Sequence, residues 1–163
     1  MTQLFDISVI TTCLNAEKYI LHCIKSIIAQ EDVNIQHIIV DGGSNDNTIK
    51  IAKSCNFSEI YLLKNSSIYK ALNYGANFAK ADILFFLNTD DILSSIKVLS
   101  KVVQEFKKNS SKEIIYGNCK FVNEKKRLIY KLISPKRLNY NISKKRVFHN
   151  YLYIIHFFIG YDI

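Results

Sequence analysis

Short apolar runs alternate with amphipathic segments along the first hundred residues. The runs are rich in β-branched and aromatic residues and predict strands, whereas the segments between them repeat apolar residues every three or four positions and predict helices. The predicted strands lie at 7–12, 36–40, 59–63 and 83–87, and the predicted helices at 16–30, 47–55, 67–79 and 96–106. Four strand–helix alternations are typical of an α/β fold with a mostly parallel sheet and helices on both faces.

Beyond residue 112 the pattern weakens. Short strands are predicted at 114–116 and 128–131, and the basic stretch 136–146 receives no assignment. We treat the 163 residues as a single domain with two halves, residues 1–95 and residues 96–163.

Charge divides the two halves sharply. Residues 1–95 carry 7 Lys and Arg against 10 Asp and Glu, a net charge of −3, whereas residues 96–163 carry 15 against 4, a net charge of +11. The basic half could face anionic phosphates, a membrane surface or nucleic acid, or could be an ordinary solvated surface. No recognised DNA- or RNA-binding motif accompanies it, so no nucleic-acid partner is expected.

The cysteine pattern and the hydropathy predict a cytoplasmic protein. The four cysteines form no C-x-x-C pair, and their spacing suits neither a zinc site nor a disulfide framework. The first residues do not resemble a secretory signal, and no run reaches the ~18 apolar residues needed to span a bilayer. Peripheral contact at the inner face of the membrane, through the basic half, remains open.

Polar turns follow three of the predicted strands. They comprise residues 11–15, residues 41–46 and residues 88–91. Because ligands bind beyond the carboxyl ends of parallel strands, we expect these turns to share one edge of the sheet and one site. That edge would hold four carboxylates, those of Asp41, Asp46, Asp90 and Asp91.

Clustered carboxylates beside an amide are suitable ligands for Mg²⁺ or Mn²⁺, and such an ion also binds substrate phosphates. We therefore expect the four acidic tips to share one divalent cation and the substrate to carry a diphosphate. Each residue also has a structural interpretation. Asp90 and Asp91 could interact with the dipole of the next helix. Asp41 could cap a tight Asp-Gly-Gly turn, and Ser44 and Asp46 could cap the helix that follows.

Two competing nucleotide-binding motifs are absent. The chain contains no G-x-G-x-x-G after its first strand and no G-x-x-x-x-G-K-[ST]. A redox Rossmann domain and a P-loop NTPase are therefore disfavoured.

Five segments in order resemble family 2 glycosyltransferases. They are residues 7–15, 26–30, 38–48, 68–73 and 84–91. The resemblance implies a GT-A fold, a nucleotide-diphosphate sugar donor with UDP-sugars favoured, and inversion at the anomeric carbon. The implied acceptor is a saccharide or lipid-linked molecule, and the implied process is surface polysaccharide or glycolipid biosynthesis.

The resemblance also implies roles for individual residues. The triplet that ends at Asp90 matches the family's D-x-D motif and makes Asp90 the metal ligand, with Asp91 as an outer partner of the metal or a ribose contact. Asp41 matches an acid that contacts the base. The full nucleotide-sugar-binding set is Thr12, Cys13, Leu14, Asn15, Asp41, Ser44, Asn73, Asn88 and Asp91.

The chain departs from the family pattern at several positions. Residues 65–67 and Lys70 stand where relatives carry acidic residues and a glycine, so Lys70 reverses a charge close to the donor. Leu14 replaces an aromatic residue, and Asn88 replaces the first Asp of D-x-D.

The last residues bear on the general base. Residues 159–162 resemble the segment that precedes the family's base, so we expect that base to lie beyond Ile163, with Asp162 as a weak candidate within the chain. His149 could match an acceptor-side histidine. We expect a chain truncated at its C-terminus, with an incomplete acceptor part. The alternatives are a catalytically inactive remnant that still binds nucleotide and, less favoured, a basic nucleic-acid-binding protein.

Overall fold

The computed structural model describes residues 4–108, 114–115, 117, 119–122, 128–132 and 152–154. Eight strands and four helices are assigned within these residues. In chain order they are β1 (Ile7–Cys13), α1 (Ile20–Ile28), β2 (Ile35–Asp41), α2 (Thr48–Ser54), β3 (Glu59–Leu62), α3 (Ile68–Ala76), β4 (Ile83–Phe86), α4 (Val98–Lys108), β5 (Ile114–Ile115), β6 (Cys119–Val122), β7 (Leu128–Leu132) and β8 (Leu152–Ile154).

The main sheet has six strands in the order β3-β2-β1-β4-β8-β5, and every neighbouring pair in it is parallel. Strands β6 and β7 form a separate antiparallel pair. β1 lies inside the sheet, where it is almost completely buried and pairs with β2 on one side and β4 on the other. The predicted parallel sheet is therefore confirmed, and its first four strands end at one edge.

Helices cover both faces of the sheet. On one face α3 packs against Ile10, Ile38 and Leu84. On the other face α1 and α4 pack against Ile7, Val9 and Phe85, and α1 and α2 pack against Ile39. Alternate residues of each strand thus reach opposite cores, as the two-residue period of a strand requires.

Gly75 brings α3 unusually close to the sheet. A Cβ atom at this position would lie 2.7 Å from Cγ2 of Ile10 and 3.0 Å from Cγ2 of Val40. The absence of a side chain therefore sets the distance between this helix and the two strands that lead into the candidate site.

Several predicted boundaries need correction. The first helix begins at Ile20 rather than at residue 16. Asn15, which directly precedes the predicted start, has a φ of 50°, and its Oδ1 accepts from the backbone N–H of Asn45. The third helix covers Ile68–Ala76 rather than residues 67–79, and its first residue, Ile68, is 57% exposed. Strands β6 and β8 had no counterpart in the sequence analysis.

No helix in the described part of the chain combines the length and the apolar character that crossing a membrane would require.

Candidate functional site

A cavity of about 410 Å³ opens at the carboxyl ends of β1, β2 and β4. Its walls come from the β1–α1 turn, the end of β2, the start of α3 and the turn after β4. The lining residues are Thr12, Cys13, Leu14, Asn15, Ala16, Tyr19, Val40, Gly42, Ser66, Ile68, Ala71, Asn88, Thr89 and Asp90. Six of the predicted site residues, from the end of β1, the turn that follows it and the turn after β4, are thus brought together here.

The turn after β1 is held against the turn after β2 by hydrogen bonds. The backbone N–H of Asn15 donates to Oγ of Ser44 over 2.9 Å, and Oδ1 of Asn15 accepts from the backbone N–H of Asn45 over 3.0 Å. Asn suits this position because it tolerates a positive φ and bonds locally through its amide. Ser44 therefore supports the cavity wall from behind and does not line the cavity.

Asp41 also lies behind the wall. Its side chain is 2% exposed, and Oδ2 accepts from the backbone N–H groups of Gly43 and Ser44 over 3.0 and 2.9 Å. Oδ1 accepts from the hydroxyl of Ser44 and from the thiol of Cys13. Gly43 has a φ of 104°, which a glycine adopts without strain. The carboxylate of Asp41 therefore caps the turn, which is the structural interpretation given above.

Asp46 is engaged in the same way. Its Oδ1 accepts from the backbone and hydroxyl of Thr48 at the start of α2, and its Oδ2 accepts from the backbone of Glu17. The expectation that four carboxylates share one cation is therefore wrong. No group of three or more His, Cys, Asp or Glu side chains in the described residues could hold a metal together.

The turn after β4 is different. The side chain of Asp90 is exposed and lines the cavity, and Asp91 is partly buried beside it. Burial, and then the neighbouring charge of Asp90, raises the pKa of Asp91 to about 6. Neither carboxylate accepts a hydrogen bond from any residue described in the structure.

Two contacts fix the position of this turn. Oγ1 of Thr89 donates to the backbone oxygen of Thr12, which ties the end of β4 to the end of β1. The thiol of Cys23 donates to the backbone oxygen of Asn88 over 3.5 Å. Burial raises the pKa of Cys23 to about 12, so this thiol stays protonated and can donate.

The donor set of the turn after β4 suits a divalent cation. Two adjacent carboxylates that repel each other, and that accept no hydrogen bond within the described ranges, provide hard oxygen ligands. Mg²⁺ and similar ions are commonly held by one or two carboxylates together with substrate phosphates, so a third protein ligand is not required.

Apolar side chains make up much of the remaining wall. Leu14, Tyr19 and Ile68 line the cavity and are 61%, 52% and 57% exposed. Exposed apolar surface of this kind can pack against a flat ring. The predicted site residues do not include eight residues that line the cavity, namely Ala16, Tyr19, Val40, Gly42, Ser66, Ile68, Ala71 and Thr89. The signal for Ile68 was its place in residues 68–73, one of the five segments that resemble family 2 glycosyltransferases.

Two further predicted residues do not line this cavity. Asn73 lines a second, adjoining groove of about 400 Å³, which shares only Ser66 with the first cavity in the described residues. Asp91, next to Asp90 in the chain, is not among the lining residues of the first cavity.

The predictions for the end of the chain stay predictions. Asp162, the acceptor-side candidate His149 and the unassigned stretch 136–146 fall outside the described residues. Ile163, beyond which the general base was expected, also falls outside them. The described part of the chain therefore does not supply the predicted base, and no catalytic residue is assigned in it.

The family model described as Glycosyl transferase family 2 matches residues 8–162. A PGL/p-HBAD biosynthesis glycosyltransferase of Mycobacterium bovis is 29% identical over 68% of this chain and 45% of its own length. The Escherichia coli protein UDP-Glc:alpha-D-GlcNAc-diphosphoundecaprenol beta-1,3-glucosyltransferase WfgD is 29% identical over 83% of this chain and 53% of its own length. The chain thus spans about half the length of these relatives.

Solved structures show the same fold. S. aureus TarS 1-349 in complex with UDP-GlcNAc superposes with a TM-score of 0.64 at 23% identity, over 68% of this chain and 34% of that one. The mannosyltransferase PcManGT from Pyrobaculum calidifontis, in complex with GDP-Man and Mn²⁺, gives a TM-score of 0.61 at 18% identity, over 74% and 37%. The predicted GT-A arrangement is confirmed, and the chain belongs to glycosyl transferase family 2.

Proposed function

We propose that this chain binds a nucleotide-diphosphate sugar, with UDP-sugars favoured, and moves the sugar with inversion to a saccharide or lipid-linked acceptor. The observation that carries the proposal is the cavity at the carboxyl ends of β1, β2 and β4, with the free carboxylate of Asp90 on its wall. The names of the relatives support the donor and acceptor classes, since one uses UDP-Glc and an undecaprenol-linked acceptor. Surface polysaccharide or glycolipid assembly is the corresponding process.

The chemistry of the cavity walls supports nucleotide binding. Leu14, Tyr19 and Ile68 offer apolar surface for the base and ribose, while the amides of Asn15 and Asn88 offer donors and acceptors. The diphosphate then lies toward Asp90. In this arrangement Asp41 and Ser44 act from behind the wall by holding the turn that shapes it.

A divalent cation, Mg²⁺ or Mn²⁺, would be held by Asp90 with Asp91 beside it. When bound, it would spread the negative charge that develops on the leaving diphosphate, a Lewis-acid role. The other groups of the chain position the donor, because Thr89 and Cys23 hold the Asp90 turn against β1 and α1.

The base that accepts the acceptor's proton is proposed to lie outside the described residues. Asp90 is the one carboxylate that lines the cavity among those residues, and its role is on the metal. Asp162 stays the proposed candidate for general base within the chain.

A second function, nucleotide binding without sugar transfer, is supported by the same lining of the cavity, in which Asp90 is the one carboxylate among the described residues. Transfer of sugar from any UDP-sugar to an acceptor would exclude this alternative.

The two halves of the chain are assigned to the two substrates. We propose that residues 1–95 bind the donor and residues 96–163 belong to the acceptor side of one domain. The net charge of +11 in the second half supports contact with anionic phosphates, including those of a membrane surface.

Calorimetry with UDP and Mn²⁺ tests the central assignment. Asp90→Ala should weaken UDP binding in the presence of Mn²⁺ by about tenfold or more, because a charge-assisted contact with the metal is lost. Asp82→Ala is the matched control, since Asp82 is also exposed but precedes β4 at the opposite end of the strand. Unchanged binding in Asp90→Ala would remove the metal assignment.

A further inference from the structure

The second groove carries a chemistry that the proposed donor site does not use. It lies between the loop that follows β3 and one face of α3, and its volume is about 400 Å³. We call it the lysine groove and define it by its polar lining residues, which are Lys64, Asn65, Ser66, Lys70, Asn73 and Asn77.

The cationic groups of the lysine groove are not neutralised by the described residues. Neither Lys64 nor Lys70 forms an ion pair or a side-chain hydrogen bond with any of them, whereas Lys80 and Lys97 both pair with carboxylates. No carboxylate lines the groove within that part of the chain. Two positive charges therefore converge on one concave surface without a described counter-charge.

Neutral donors accompany the charges. The side-chain amides of Asn65, Asn73 and Asn77 make no hydrogen bond with described residues, so their N–H groups are available to a ligand. Lys70 lies in the first turn of α3, which Ser67 caps, and the positive end of this nine-residue helix adds to the field. The groove thus presents donors and positive charge together, as oxyanion sites do.

The position of Lys64 is supported by the turn after β2. Its Cγ lies 3.2 Å from the point where a Cβ of Gly43 would stand, so the aliphatic part of Lys64 packs over that glycine. The stem is therefore held against the turn that Asp41 caps. The ammonium group extends from a supported stem rather than from a freely moving one.

We propose that the lysine groove binds an oxyanion, a phosphate or a carboxylate, carried by a substrate of the adjoining cavity. Ser66 lines both spaces, so a molecule in the first cavity can reach the second. Two sources share this chemistry, an acidic sugar on the donor and the diphosphate of a lipid-linked acceptor. The naming of these sources rests on the proposed function, whereas oxyanion binding itself does not.

Pyrophosphate without divalent cations is the first probe, because in their absence Asp90 and Asp91 repel it from the donor cavity. Titration of the ¹⁵N-labelled full chain should shift the amide signals of Asn65, Asn73 and Asn77. Lys64→Gln and Lys70→Gln should each weaken this binding by about three- to tenfold, and the double variant should abolish it, since each removes one charge-assisted contact.

Lys50→Gln is the control, because Lys50 is an exposed lysine of α2 that lines neither space. Lysine-to-arginine variants at 64 and 70 should restore binding, which a purely structural role would not predict. Equal pyrophosphate affinity in the double variant and in Lys50→Gln would overturn the proposal. So would signals that shift only in the Asn88–Asp91 turn.

The double variant, tested with Mg²⁺ present, then identifies which substrate supplies the oxyanion. If the donor sugar supplies the oxyanion, the double variant loses affinity for UDP-glucuronate but not for UDP-glucose. If the acceptor supplies it, both donors bind as before and affinity for a prenyl diphosphate falls. Unchanged affinity for all three overturns the substrate role. Failure of sugar transfer with intact metal-free pyrophosphate binding would instead count against the proposed function alone.

Discussion

Two acidic turns stand at the same edge of the sheet and use their carboxylates in opposite ways. In the first acidic turn, residues 41–48, the oxygens of Asp41 and Asp46 accept hydrogen bonds from the turn itself and from neighbouring backbone. In the second acidic turn, residues 88–91, the carboxylates of Asp90 and Asp91 accept none from the described residues. Asp90 instead faces the cavity.

The difference lies in how each carboxylate is satisfied. A buried carboxylate that accepts several N–H and O–H bonds is a structural element, because removing it leaves those donors unpaired. A carboxylate pair without donors repels itself and gains from an added cation. Identical side chains at equivalent strand ends therefore shape the site in one turn and are available to a ligand in the other.

The two turns should differ most in how much their carboxylates contribute to the free energy of unfolding. Asp41→Ala leaves the N–H groups of Gly43 and Ser44 and the hydroxyl of Ser44 unpaired, so the free energy of unfolding should fall by about 3 kcal/mol. Asp90→Ala, at an exposed position, should change it by less than about 0.5 kcal/mol. Urea denaturation of both variants measures this. Similar losses of stability in the two variants would show that the hydrogen bonds of Asp41 do not make it the structural carboxylate.

Strand β2, which leads into the first acidic turn, carries a buried histidine. His37 of β2 is 1% exposed, bonds to the hydroxyls of Ser58 and Thr11, and has its pKa lowered by burial to about 3. Its neutral form is therefore the folded form. Between the folded pKa and the ordinary histidine pKa of 6.5, only the unfolded state binds a proton at this position. The free energy of unfolding therefore falls as the pH drops through this range.

From pH 7 to pH 5 this linkage should cost about 2 kcal/mol, since each pKa unit is worth about 1.4 kcal/mol. His37→Asn should lose that part of the pH dependence, while His22→Gln, which alters an exposed histidine, should keep it. Urea unfolding at the two pH values gives both numbers. Parallel pH profiles for the wild type and His37→Asn would contradict the assignment.

The smallest effect concerns the support of the second acidic turn. Thr89→Val removes the hydroxyl that donates to the oxygen of Thr12 and should cost about 1 kcal/mol of unfolding free energy. UDP affinity with Mn²⁺ should fall a few-fold, because Asp90 loses its alignment. Thr12→Val keeps that backbone oxygen and serves as the stability control. An unchanged affinity for UDP in Thr89→Val would show that the contact does not position Asp90.

The sequence predicted the sheet because its first four strands are short runs rich in apolar and β-branched residues. Of these, β4 is apolar throughout and almost completely buried, whereas the edge strand β3 is only partly buried. The register of β1 with β2 pairs Cys13 with Asp41, and Leu87, directly after β4, donates its N–H to Ile10 of β1. The expected meeting of three strand ends at one edge is thereby confirmed. The alternation of strands and helices predicted the parallel direction, because each connection between consecutive strands then contains a helix that covers a face of the sheet.

The sequence could not show which carboxylates were free. Composition counts Asp41 and Asp90 alike, whereas the direction of each side chain depends on the turn that follows it. Gly43 and Ser44 fold back to bond Asp41, and no described residue after Asp90 does the same. Similarly, Asn15 resembles a helix cap locally, but Asn45 and Ser44, some thirty residues away in the sequence, determine its bonds.

Paramagnetic broadening of the amide signals of the ¹⁵N-labelled chain by Mn²⁺, with UDP present, locates the ion relative to the two acidic turns. If Asp90 holds the metal, the broadening should be strongest at Asp90 and Asp91, weaker at residues 12–14 and weaker still at residues 43–46. Broadening centred on Asp41 and Asp46, or spread evenly over exposed acidic residues, would contradict that assignment.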